Sequence, residues 1–254
     1  MAERLDGTAA LVTGASSGIG EAAARALAAQ GAAVALVARR GDRLHRLAAE
    51  TGETGARAVP IEADVTDQEQ AIGAVEEAVR ELGRLDTVIN NAGVMLLGPV
   101  VDAPTQEWDR MIAVNLNGLL YVAHAALPHL LKAAEDEPRR VADLVNISSV
   151  AGRVARAGSA VYNLTKHGVG AFSEGLRQEV TQRHVRVSLV EPGGTNTELT
   201  THMRPEVLEV TRKRFEGVER LEAEDIADAI AYIVTRPRRV AVNEILVRPT
   251  EQML

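Results

Sequence analysis

Tyr162 and Lys166 stand four residues apart in YNLTK, and Ser149 precedes the tyrosine by thirteen residues, just past the apolar run VADLVNIS (Val141 to Ser148). On a helix, a spacing of four puts the phenol and the ammonium on one face, one turn apart. A free tyrosine, with a pKa of about 10, exchanges protons poorly at neutral pH. A cation held one turn away stabilises the phenolate and brings proton transfer nearer to working pH. A serine hydroxyl at the strand end can hydrogen-bond the same oxygen. These three residue types suit proton transfer at a carbonyl or alcohol oxygen. A Tyr-x-x-x-Lys pair alone is common on helices, so the reading depends on whether the chain builds a nucleotide site around it.

The elements that must position these residues follow in order. TAALVTG (Thr8 to Gly14) has the length of a buried strand, and ASSGIG leads from it into an alanine-rich helix closed by Gly31. Gly14, Gly18 and Gly20 form a G-x-x-x-G-x-G turn, which lets the backbone approach a pyrophosphate while the helix N-terminus favours negative charge. A second apolar run, AAVALVARR, ends in Arg39 and Arg40, where a carboxylate would mark a ribose 2′-hydroxyl. Two guanidinium groups suit a 2′-phosphate instead, so NADP(H) is expected over NAD(H); the alternative is two solvated residues opening the helix GDRLHRLAAE. RAVPIEADV ends at Asp64, which either accepts from an adenine amino group or lies near the helix start as a turn or capping residue, or does both. LDTVIN runs into Asn91, Ala92 and Gly93, small enough to lie beneath a nucleotide. A long helix is expected from Thr105, with Asn115 in its apolar face needing hydrogen-bond partners and Pro128 kinking it. EDEPRR reads as a solvated loop. Gly168, Gly170 and Ala171 permit close helix packing, VRVSLVEPGG is a strand, and residues 194–221 form an irregular segment that suits a lid. The chain closes with the helix AEDIADAIAYIVTR and the strand EILVRP. About six strand–helix alternations imply an α/β Rossmann-type doubly wound parallel sheet in a single domain, 1–254, with its crevice at the carboxyl ends of the strands.

The 254 residues are enough for one such domain without a staple. The absence of cysteine excludes disulfides and thiolate metal sites, and no metal site is expected. A net charge of −7 argues against a nucleic-acid surface, and aromatic residues at 2% leave an aliphatic core and pocket. No apolar run of membrane-span length and no secretory signal is read in the sequence, so a cytoplasmic protein is expected.

TGASSGIG, NNAG, VNLNG, ISS, YNLTK and PGGTNT occur together and in an order that resembles the short-chain dehydrogenases/reductases of about 250 residues, over nearly the whole chain. The resemblance implies a catalytic tetrad of Asn115, Ser149, Tyr162 and Lys166. Tyr162 would act as acid in reduction and base in oxidation, and Ser149 would orient the substrate oxygen. Lys166 would hold the nicotinamide ribose and lower the tyrosine pKa, with Asn115 supporting a water relay behind it. The cofactor contacts implied are Gly14, Ser16, Ser17, Gly18, Ile19, Gly20, Arg39, Arg40, Asp64, Val65, Asn91, Ala92, Gly93, Tyr162, Lys166, Pro192, Gly193, Thr195 and Thr197. Helices around Asn115 and Tyr162 would form dimer and tetramer interfaces. VMLLGPV, SSVAGR, FSEGLRQEVT, EPGGTNTEL and EILVRPTEQ resemble the clavaldehyde dehydrogenase branch, and more distantly the NADP-dependent 3-hydroxy acid and serine dehydrogenases; Thr195 stands where many members have valine. The activity implied is NADPH-dependent reduction of an aldehyde or ketone, with Arg153 or Arg156 pairing a substrate carboxylate unless both are solvent or interface residues. The alternatives are oxidation of a 3-hydroxy acid or secondary alcohol, and, more distantly, a non-catalytic nucleotide sensor on the same fold.

Overall fold

The computed structural model describes residues 4–53 and 55–253. Seven strands form one parallel sheet: β1 (Ala9–Thr13), β2 (Ala33–Ala38), β3 (Ala58–Glu62), β4 (Thr87–Asn90), β5 (Ala142–Ile147), β6 (Val185–Pro192) and β7 (Glu244–Val247). Their order is β3-β2-β1-β4-β5-β6-β7. Most of the strand residues are small, branched and apolar, and the inner strands are buried on both faces. Leu11, Val37, Val88 and Leu144 face one core, while Val12, Leu36, Ile89 and Val145 face the other. The helices α3 (Gln68–Leu82), α5 (Leu119–Ala133) and α6 (Ala160–Val180) cover the first core. Those covering the second are α1 (Gly18–Ala29), α2 (Gly41–Glu53) and α8 (Ala223–Val234). This is the doubly wound α/β fold expected from the alternation of elements.

Local chemistry explains the element ends. Asp67 caps α3 by accepting from the amides of Glu69 and Gln70, and Gly83 closes it with φ 81°. The cap is therefore Asp67; Asp64 turns its carboxylate back onto the Thr66 amide and hydroxyl at 3.0 and 2.8 Å.

Three expectations change. The long helix from Thr105 has three parts: α4 (Thr105–Ile112), a π-helical turn (Ala113–Gly118) and α5, which passes through Pro128 unbroken. The departure from α geometry is at Asn115, whose side chain is held by a neighbouring loop, and not at the proline. This helix, Thr105–Ala133, is by length and composition apolar enough to cross a membrane. Its Val122, Ala123, Ala126 and Leu130 are buried against the sheet, so its apolar face belongs to the core. Finally, EDEPRR is not all solvated. Arg139 is buried, donating to the Val234 carbonyl and pairing with Asp143 at 3.2 Å.

Between β6 and α8, residues 194–221 contain a 3-10 turn, Glu198–His202, and the helix α7 (Pro205–Arg214). The segment is anchored at both ends. The Leu221 amide donates to Gly194 and the Asn196 amide to Leu221, while Arg204 pairs with Glu107 on α4 at 3.0 Å.

Candidate active site

The carboxyl ends of the strands open onto a cavity of about 400 Å³. Of the residues the sequence points to, Gly20, Asn115 and Arg153 do not line it. Gly20 is part of its support. A Cβ there would stand 2.4 Å from the Gly14 carbonyl oxygen and 2.5 Å from Asn91 Nδ2. The side chain of Asn91 donates to the Thr13 carbonyl at 3.0 Å, and the amides of Asn91 and Ala92 donate to Thr13 Oγ1, each at 3.0 Å. NNAG thus ties the end of β4 to the end of β1, the place where the crossovers reverse direction.

At the deep end, the Ser149 hydroxyl accepts from the Ala151 amide at 3.1 Å and donates to the Pro192 carbonyl at 3.4 Å. Burial pushes the Tyr162 phenol up to about 12, and the influence of neighbouring Ser149 offsets only part of this. Lys166 does not supply the expected lowering here. Its Nζ donates to the Ile147 carbonyl at 2.8 Å and lies 5.9 Å from the ring centroid, while burial draws its own pKa down to about 8. Gly93 leaves room beside both groups. A Cβ at that position would be 3.8 Å from Lys166 Nζ and 3.5 Å from Asn115 Oδ1.

Asn115 is a satisfied core amide. Its Oδ1 accepts from the Val94 amide at 2.8 Å, and its Nδ2 donates to the Val94 carbonyl at 2.9 Å and to Thr165 Oγ1 at 3.2 Å. The π turn delivers it to the β4 loop. Asn163, which sequence reasoning passed over, organises the loop between Ser149 and Tyr162. It donates to the carbonyls of Ala151 and Val154 at 2.7 and 3.0 Å and accepts from the Arg156 amide and the Ser159 hydroxyl. The signal was present as the asparagine in YNLTK.

The other end is basic. Arg40 donates to Ser16 Oγ at 3.0 Å and to Ser17 Oγ at 2.7 Å, and its third nitrogen meets Glu198 at 2.7 Å. Arg39 lies 3.6 Å from Asp64. Arg43, one turn further on, also meets Glu198, at 2.8 Å, and neither of these two residues was singled out in the sequence. Ser17 caps α1 with its backbone alone, so the first amides of this twelve-residue helix face the cavity with no side chain bonded to them. Bare helix amides, two hydroxyls and guanidinium groups form a donor set that fits the phosphates of a dinucleotide.

Arg153 is not in the cavity. Its guanidinium pairs with buried Glu191 at 2.7 Å and with Glu244, which excludes it as the partner of a substrate carboxylate. Arg156 does line the cavity, as does Arg220, which lies 4.8 Å over the Phe215 ring. Met95, Leu97, Val150 and Leu199 supply aliphatic walls.

The comparisons agree with this geometry. The family described as short chain dehydrogenase matches residues 8–208. An uncharacterized oxidoreductase of Staphylococcus aureus strain MRSA252 is 39% identical over 240 residues, which are 94% of this chain and 96% of that protein. Among solved structures, a serine dehydrogenase complexed with NADP+ superposes with a TM-score of 0.86 at 31% identity, covering 97% of each chain. An alcohol dehydrogenase from the archaeon Thermococcus sibiricus, complexed with 5-hydroxy-NADP, superposes with a TM-score of 0.85 at 28% identity over 97% of this chain and 98% of its own. A tyrosine–serine pair at one end of a groove whose other end is built for phosphates, on this sheet order, identifies the chain as a member of the short chain dehydrogenase family and an NAD(P)-dependent oxidoreductase acting on CH–OH/C=O groups.

Proposed function

We propose that the protein reduces an aldehyde or ketone with NADPH, in one catalytic domain with residues 194–221 as its lid. The observation that carries this reading is the cavity joining buried Tyr162 and half-buried Ser149 to the Arg40–Ser16–Ser17 cluster. Arg40 and Arg39 would hold the cofactor's 2′-phosphate, as expected where no carboxylate ends β2. The two solved relatives reported above hold an NADP-type molecule, which supports the same choice. Gly14, Ser16, Ser17, Gly18 and Ile19 would take the pyrophosphate, and Asp64 and Val65 the adenine. Ala92, Gly93, Pro192, Gly193, Thr195 and Thr197 would take the ribose and nicotinamide, with Asn91 and Gly20 shaping the turn from behind.

Bound NADPH supplies the hydride. The chain's own residues then act on the oxygen: Ser149 hydrogen-bonds it and Tyr162 gives up its phenolic proton to it. Lys166, turned from the Ile147 carbonyl, would stabilise the phenolate left behind, and Asn115 would hold Lys166's surroundings and its water relay in place. In the reverse direction Tyr162 accepts the proton, and the serine dehydrogenase relative favours a hydroxy acid as that substrate. A carboxylate-bearing carbonyl, of the kind the clavaldehyde-like stretches imply, would meet Arg156 or Arg220 in the aliphatic pocket. Exposed Leu164 on α6 and half-exposed Leu120 on α5 support helix-mediated dimers or tetramers.

The test is NADPH oxidation, followed by absorbance, over aldehydes and ketones with and without a carboxylate, with NADH in parallel. NADPH-dependent turnover that favours carboxylated carbonyls is expected. Preference for NADH would overturn the cofactor reading, and turnover of neutral ketones alone would overturn the carboxylate.

A further inference from the structure

Glu198 is the residue the mechanism above does not use, and it is the most strongly held acid on the cavity wall. It opens the 3-10 turn Glu198–His202, directly after Thr197, whose hydroxyl caps the turn by accepting from the Leu199 amide. One carboxylate oxygen accepts from Arg40 at 2.7 Å and from Arg43 at 3.0 Å, and the other accepts from Arg43 at 2.8 Å. These two guanidinium groups draw its pKa down to about 2, so it is ionised at any working pH. The remaining donors of Arg40 go to Ser16 and Ser17 at the glycine-rich turn. Further cations lie nearby, since Arg39, Arg40 and Arg110 join burial in lowering the pKa of His202, although Glu21 and Asp42 also act on Arg43. An acid of the lid therefore sits in an arginine cradle suited to an anion, and is linked through Arg40, 158 residues earlier in the sequence, to the nucleotide turn.

We infer that Glu198 is a tethered stand-in for the cofactor's 2′-phosphate, which must displace it from Arg40 and Arg43 and thereby release the first turn of the lid. This rests on the NADP(H) reading above. A phosphate monoester carries about −1.5 to −2 charges at neutral pH and three acceptor oxygens. It outcompetes a single carboxylate for two arginines, whereas a 2′-hydroxyl does not. The tether places the carboxylate at an effective concentration in the millimolar range, so it weakens every anion that must enter the cradle by the same factor. Glu198 would then weaken NADP(H) while leaving NAD(H) untouched, a cost in affinity that makes lid release a consequence of phosphate binding. The cost to affinity follows the fraction of molecules in which the cradle is free.

The experiment uses the ligand-free full chain and two probes that lack the nicotinamide, adenosine 2′,5′-bisphosphate and 5′-AMP, titrated by calorimetry into wild type, Glu198→Gln and Glu198→Ala. Both variants are expected to bind the 2′,5′-bisphosphate roughly tenfold more tightly, within the range of an effective-concentration effect, with 5′-AMP unchanged. Amide hydrogen exchange gives a second readout. Residues 198–203 should exchange faster in wild type once the 2′,5′-bisphosphate is bound, and should already be fast in the ligand-free variants. Selective wild-type binding with unchanged or weaker binding in the variants would overturn the stand-in role alone and make Glu198 an organiser of the arginines. A wild type that does not distinguish the two probes would overturn the NADP(H) reading itself, and the inference with it.

Discussion

Buried Tyr162 and Lys166 are each shifted against their charged form, the phenol up to about 12 and the ammonium down to about 8. A tyrosine of this kind keeps its proton across the neutral range, which suits an acid in reduction. In ligand-free protein, the ultraviolet difference spectrum of wild type against Tyr162→Phe should show no phenolate forming below pH 10. A transition near pH 8 would mean that Lys166 already acts on the phenol. The same variant should keep NADPH affinity nearly intact and lose at least about a hundredfold in turnover, the usual worth of a positioned acid. Retained turnover would remove Tyr162 from that role. The identities of Ser149, Tyr162 and Lys166 were legible in the sequence because strand end and helix turn fix their spacing. Their states were not legible. The Ile147 carbonyl that holds Lys166 lies nineteen residues back, and Glu191, which takes Arg153 out of the pocket, comes from the neighbouring strand, thirty-eight residues on.

Elements, as opposed to residues, were read almost whole, because glycines and apolar runs mark their ends. The glycine-rich turn shows why glycine stands there. Gly18 has φ 55°, and Gly20 is pressed by the Gly14 carbonyl. Gly20→Val should therefore distort the turn, lowering NADPH affinity and destabilising the protein by about 1–3 kcal/mol, the usual range for overpacking. Calorimetric binding and chemical denaturation would check both, and a variant with wild-type affinity would show that the turn can yield. The π turn left no sign in the sequence beyond an asparagine on an apolar face. Periodicity does not separate one extra residue per turn from an ordinary helix, and in the sequence Pro128 is the visible reason for irregularity. Gly168 was read as a site of close helix packing, and its missing side chain does admit Leu116 of the π turn, which a Cβ there would approach to 3.1 Å.

The whole molecule places its chemistry at one end of the sheet and a buried charge cluster beyond the other. Asp143, fully buried at the start of β5, accepts from Arg186 at 2.7 and 2.8 Å and from Arg139 at 3.2 Å. Arg186 continues to the carbonyls of Val234, Arg236 and Val240, so the cluster pins the loop after α8 beneath the sheet. Asp143→Ala strands two buried cations and should cost about 3–5 kcal/mol in denaturant unfolding. A loss below about 1 kcal/mol would show that the arginines reach water. The sheet order was implied by the alternation of strands and helices, but this cluster was not, since Arg139 sits in a stretch whose composition reads as surface.

The pairing between β1 and β4 is the shortest in the sheet, three residue pairs against four to six elsewhere. It is also the line along which the chain's two halves meet, since β1 to β3 wind outward on one side and β4 to β7 on the other. Thr13, Asn91 and the bond from the Ala9 amide to Asp86 act as rivets along that seam. A dinucleotide lying across it, as proposed, would touch both halves at once and behave as a cross-brace. The most sparsely paired line of the sheet and the proposed ligand groove coincide, so loading would stiffen the molecule where its backbone pairing is thinnest.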